Sequence, residues 1–160
     1  MTNSEGASYA IDHEPPLVIA RMWWSGGSAT EEETTQQLRC LAALERAALD
    51  PPDVRGVVLD LRGAFPIASP RLEQAITSLV LSTSQRGCRV GIVLGMHPAQ
   101  RVQMQRLLEE SGARRASLFS DPVAARVFAS RARDPSLQST EIELYPGALT
   151  PTSLRRSGTR

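Results

Sequence analysis

The chain predicts an α/β fold, a mixed, largely parallel β-sheet with four helices packed against it. Three observations predict it. Two apolar-rich runs, Val54–Leu61 and Arg89–Leu94, read as buried strands, the first of them central and covered on both faces. Each is followed by a turn and then a helix start marked by proline (Ser69-Pro70 and Pro98), and Asp121-Pro122 repeats the pattern. The segments run β-β-α-β-α-β-α-β-α, an alternation that implies parallel strands joined by right-handed crossovers.

Taken in order, residues 1–8 read as a disordered tail. Tyr9–Asp12 reads as a short first strand, ended by Pro15-Pro16. Leu17–Trp24 (LVIARMWW) is rich in β-branched and aromatic residues and reads as the second strand, stopped by Ser25-Gly26-Gly27-Ser28. Thr30 and Glu33 make a T-x-x-E capping box, and three glutamates in the first turn suit the positive end of a helix. That helix carries Leu38, Leu41, Leu44 and Ala48 on one face and stops at Asp50-Pro51-Pro52.

After the Val54–Leu61 strand, Ser69 is placed to cap the second helix and Pro70 fits its first turn. Leu72, Ala75, Ile76 and Leu79 form its buried face, and Gly87 marks its end. The third helix opens at Pro98, turns Met104, Leu107 and Leu108 inward and ends at Gly112. Ala116–Phe119 is a short strand, and the last helix follows with Ala124, Val127 and Phe128 as its apolar stripe. Beyond residue 133 the composition turns to Ser, Thr and Pro. Residues 134–160 read as a largely disordered extension whose alternating patch, Glu141–Tyr145, has the pattern of an edge strand.

The bulk numbers exclude several function classes. A chain of 160 residues with 41% hydrophobic residues suffices for one core, the domain placed at 9–133. Aromatics are only 4%, so the core rests on Leu, Val, Ile and Ala. A net charge of +1 provides no field for non-specific nucleic-acid or membrane binding. All 18 basic residues other than histidine are arginine, which reads as a composition bias. No run approaches the roughly 20 apolar residues of a membrane span, and the polar N-terminus does not read as a secretory signal, so the cytoplasm is the expected location. Cys40 and Cys88 stand apart in apolar surroundings and read as buried free thiols.

The element order, with a turn and then a serine after the central strand, resembles the STAS domain over roughly Tyr9 to Arg133. This is the fold of anti-sigma factor antagonists and of the cytoplasmic domain of sulphate transporters. The local matches are WWSGG before the first helix, GVVLDLRGA at the central strand, RGCRVGIVLG at the next, QRLLEESGARR in the third helix and SDPVAARVFA in the last. The resemblance implies a non-enzymatic interaction module in bacterial signalling, regulating transcription. Its partner would be an anti-sigma factor serine kinase or another STAS-containing assembly, with no cofactor or metal. The family's switch loop has the form Asp-Ser-Ser-Gly. Laid on it without gaps, Ala68 stands at the Asp, Ser69 at the first Ser, Pro70 at the second and Arg71 at the Gly. The phosphoacceptor of the antagonists is the second Ser. Pro70 has no hydroxyl, so the usual phosphoserine switch is expected to be absent unless Ser69 has taken it over.

The implied contact surface is the Arg62–Leu72 loop and helix start, centred on Ala68, Ser69, Pro70 and Arg71. A phosphate on Ser69 would sit well at a helix N-terminus, but a serine before a helical proline is also a routine cap. Asp60 lies inside an apolar strand, where a carboxylate needs partners; backbone N–H groups of the following turn and Arg62 are the expected ones. His97 ends a buried strand at a position that faces ligands in open α/β sheets. Acid–base work there would need Asp60 or Ser69 to converge on it, and a loop histidine also serves as a cap or a solvated residue. Trp23 and Trp24 must face opposite sides of their strand, and the favoured reading covers both with helices. The alternative to an interaction module is a small-ligand or anion sensor built on the strand-end loops near Ser69 and His97.

Overall fold

The computed structural model describes residues 9–23, 30–64 and 66–131. Five strands and four helices alternate as expected: β1 (Tyr9–Glu14), β2 (Leu17–Trp23), α1 (Glu31–Leu49), β3 (Gly56–Gly63), α2 (Pro70–Gln85), β4 (Arg89–Val93), α3 (Pro98–Ser111), β5 (Ala116–Phe119) and α4 (Pro122–Ser130). They form one sheet in the order β1-β2-β3-β4-β5, with β1 antiparallel to β2 and every other pair parallel. The fold is therefore α/β with a mixed, largely parallel sheet, as the alternation predicts, and the apolar strand β3 is its centre.

Strand order explains the layering. From β2 to β5 the chain steps across the sheet in one direction, and right-handed crossovers then place α1, α2 and α3 on the same face. Their stripes meet Val18, Ala20 and Met22 of β2, Val57, Leu59 and Leu61 of β3, and Val90 and Ile92 of β4 in the larger core. Leu44, Leu59, Ile76 and Ile92 are wholly buried there, each contributing about 1.5–3 kcal/mol relative to exposure. The second face carries a smaller core, where Leu17, Ile19, Val58, Val93 and Phe119 meet Ala125, Phe128 and Ala129 of α4.

Glycines set how closely α4 lies. A Cβ built on Gly56 would sit 1.9 Å from the Ala129 carbonyl oxygen, and one on Gly91 2.9 Å from that of Ala125. Only small helix residues fit against backbone at this range, which corrects the expected α4 stripe. Ala125, Phe128 and Ala129 face the sheet, Ala124 packs at its margin, and Val127 is 49% exposed.

Other boundaries shift for local reasons. β1 runs two residues past Asp12, because the turn at Pro15-Pro16 lets Glu14 register with Leu17. β3 starts at Gly56 rather than Val54 and reaches Gly63, which registers with Trp23. The expectation that both tryptophans are covered fails for Trp23, which is 39% exposed. The smaller core takes Leu17 and Ile19 from β2 and goes no further along that strand. Trp24, the tails at 1–8 and 134–160 and the Glu141–Tyr145 patch lie outside the described residues. Both cysteines are buried and free, and burial pushes the Cys40 thiol up to about 12. Among the described residues no helix is long and apolar enough to cross a membrane.

Candidate functional site

Each helix follows a strand of the parallel set, so all four helix N-termini lie along the C-terminal edge of the sheet. The β3–α2 and β4–α3 connections sit side by side on that edge, since Asp60 of β3 registers with Val93, the last residue of β4.

The site begins at Asp60. Alternation along β3 puts it on the α4 face, where it is 8% exposed. Its carboxylate accepts from the Arg62 backbone N–H at 3.1 Å, from Arg62 Nε at 3.0 and 3.2 Å, and from Arg62 Nη2 at 2.7 Å. These are the partners expected from the sequence. The bonds from one fork to both oxygens fix the start of the loop and hold Arg62 firmly in its charged form.

Two glutamines of α3 then fasten the loop. Gln100 is 1% exposed; its Nε2 donates to the Leu61 and Ala64 carbonyls, both at 3.0 Å. Its Oε1 accepts from the Gly95 N–H at 3.1 Å, so one side chain ties the ends of β3 and β4 together. Gln103 accepts from the Ile67 N–H and donates to the Ile67 carbonyl, each at 2.7 Å, and reaches Glu73 at 2.8 Å. Ala64 and Ile67 are buried, so the loop is also anchored by packing.

Beyond that anchor the chain surfaces. Ala68, Pro70 and Arg71 are exposed, Ser69 is half-buried and Leu72 returns to the core. Ser69 occupies the N-cap position of α2, but its side chain makes no cap hydrogen bond. This corrects the expected capping role. The first turn closes on the backbone instead, with the Leu72 and Glu73 N–H groups both donating to the Ser69 carbonyl at 3.1 Å, while Pro70 has no N–H to satisfy. The Ser69 hydroxyl has no hydrogen-bond partner among the described residues.

His97 holds the equivalent position on α3, again without a side-chain cap bond, and is exposed. The structure thus brings Arg62, Ala68, Ser69, Pro70 and Arg71 into one loop and sets His97 in the next. Among the described residues the Asp60 oxygens are taken by Arg62, and Ser69 has no hydrogen bond to a base. Among the described residues no group of three His, Cys, Asp or Glu side chains is arranged to hold a metal.

Gln100 and Gln103 are the residues that sequence reading missed. The signal was present: Gln100 stands on the same helical stripe as Met104 and Leu107, a polar residue where the face is apolar. Comparison of the chain with protein-family models, curated proteins and solved structures finds no significant match.

Proposed function

We propose that this chain is a non-enzymatic protein-interaction module of bacterial signalling, of the STAS-like, anti-sigma factor antagonist kind that its sequence resembles, acting in the cytoplasm. Its contact surface is the Arg62–Leu72 loop with the first turn of α2. One observation carries the reading: Asp60, Gln100 and Gln103 hold this loop in place while Ala68, Ser69, Pro70 and Arg71 stay uncommitted at its surface. A loop ordered before binding loses little freedom when a partner closes on it, so more of the contact energy appears as affinity. Rigid scaffolds that present loop residues are a common way to build recognition surfaces.

The mechanism is competitive. The domain occupies an anti-sigma factor serine kinase or a larger STAS-containing assembly that otherwise holds a transcription factor. With Pro70 at the usual phosphoacceptor position, the contact is constitutive or governed elsewhere.

Affinity capture of the tagged chain from a lysate of its own source tests the reading. The expected result is recovery of a serine kinase-type anti-sigma factor or a STAS assembly, lost when Ala68→Arg blocks the surface. Ser69→Asp tests the switch: affinity that stays within about threefold, under about 0.7 kcal/mol, means that phosphorylation there is not the control. Recovery of neither, together with a thermal shift on adding phosphate or small carboxylic acids, would favour a ligand sensor at Ser69 and His97 instead.

A further inference from the structure

We infer that the β4–α3 connection, residues 94–98, is the second half of the contact surface, with Met96 as its apolar anchor, and that the surface fits a protein partner presenting an apolar recess rimmed by carboxylates. This rests on the interaction reading above and adds to it a residue and a partner chemistry.

Met96 is 95% exposed, the most exposed large apolar side chain among the described residues. Its neighbours Gly95 and Leu94 are tied down: the Leu94 N–H donates to the Phe119 carbonyl at 2.8 Å, and the Gly95 N–H to Gln100. A long apolar side chain is therefore held out in water by a backbone that is itself fixed. Val102, one turn into α3, adds a second exposed apolar group at 68%. Isolated exposed apolar residues are ordinary. This one differs in its position, because the loop that bears it abuts the β3–α2 loop. A Cβ on Gly95 would sit 3.0 Å from the Arg62 carbonyl oxygen, and Gln100 bonds both connections.

Charge specifies the partner. Segments 61–72 and 94–102 carry Arg62, Arg71 and Arg101 and not one Asp or Glu. Of the carboxylates at their margins, Asp60 pairs with Arg62 and Glu73 with Arg106 and Gln103, while Asp121 accepts from the Val123 N–H and its charge also reaches Arg62. Arg71 and Arg101 are exposed and form no ion pair among the described residues. The surface is thus an apolar projection flanked by the positive charge of Arg71 and Arg101, in a chain whose net charge is only +1. Such a surface complements an acidic rim, which sets encounter rate and selectivity more than it adds raw affinity.

Selection of a random peptide display library against the full chain tests this directly. The expected winners place Asp and Glu around a large apolar residue. Their binding should weaken at least tenfold, about 1.4 kcal/mol, with Met96→Ala. It should also weaken with Arg71→Glu combined with Arg101→Glu, and fall as salt rises. All three side chains are exposed, so these variants keep the fold. Peptides that are lost with Ala68→Arg but indifferent to Met96→Ala would overturn this inference and leave the interaction reading standing. Peptides indifferent to changes in either loop would overturn both. Self-association of the chain in sedimentation that disappears with Met96→Ala would assign the face to a second copy and overturn the acidic partner.

Discussion

Helices α1 and α4 begin differently from helices α2 and α3. Thr30 accepts from the Glu33 N–H at 3.1 Å while the Glu33 carboxylate accepts from the Thr30 N–H at 3.3 Å, and Asp121 accepts from the Val123 N–H at 3.0 Å. Ser69 and His97, in the same positions on α2 and α3, make no such bond. The loop that leads into α2 is fastened from a distance instead, by Gln100 and Gln103 of α3, and the loop into α3 is tied by Gln100 of its own first turn. A start capped by its own residues stabilises a helix and is then finished. A start left open at the end of a loop held by another element, as at α2, keeps surface groups uncommitted in a fixed position. Both open starts lie where the contact surface is proposed.

Breaking the distant fastening should have the largest effect. Gln100→Ala strips partners from the Leu61 and Ala64 carbonyls and from the Gly95 N–H, and leaves a small void at a buried site. The expected loss is about 2–4 kcal/mol, read as a lower midpoint in urea unfolding. Gln100→Glu should not restore it, because a carboxylate oxygen would then face two carbonyls. Gln103 is only half-buried, so water can replace part of what it provides. For Gln103→Ala the expected loss is smaller, about 1–2 kcal/mol, with faster hydrogen exchange at the Ile67 amide. A Gln100→Ala protein as stable as wild type would mean that the loops hold themselves.

The locally capped starts come next. Thr30→Ala and Asp121→Ala should each cost about 1 kcal/mol, read in the same urea titrations. Their legibility follows from their reach. Thr30-x-x-Glu33 and Asp121-Pro122 declare themselves within a few residues, as does the Asp60–Arg62 pair. The glutamine bonds to Leu61, Ala64 and Ile67 join residues 36 and 39 positions apart, and no local pattern can name such partners before strand order is known. A polar residue on the apolar stripe of α3 could be noticed in the sequence, but its carbonyl partners could not. The α4 stripe was misjudged for a related reason. Hydrophobicity favours Val127 over Ala125, but the sheet presents Gly56 and Gly91 to α4, and close approach selects the small residue. Element order and the largely parallel sheet, by contrast, needed only the alternation of apolar runs with proline-marked helix starts.

The smallest effect is the most discriminating. Ser69→Ala removes a hydroxyl with no hydrogen-bond partner, so stability should stay within about 0.5 kcal/mol of wild type, where Thr30→Ala at the equivalent position of α1 should not. Ser69→Asp places a carboxylate at an open helix start and should stabilise α2 by about 0.3–1 kcal/mol. If Ser69→Ala instead costs as much as Thr30→Ala, the hydroxyl caps α2 in solution and the contrast between the two pairs of helices disappears. If it costs nothing, yet weakens a partner's binding, then the side chain at the start of α2 is held for recognition rather than for the fold. The same substitution therefore separates, in one pair of titrations, a serine that builds the helix from a serine that the helix presents.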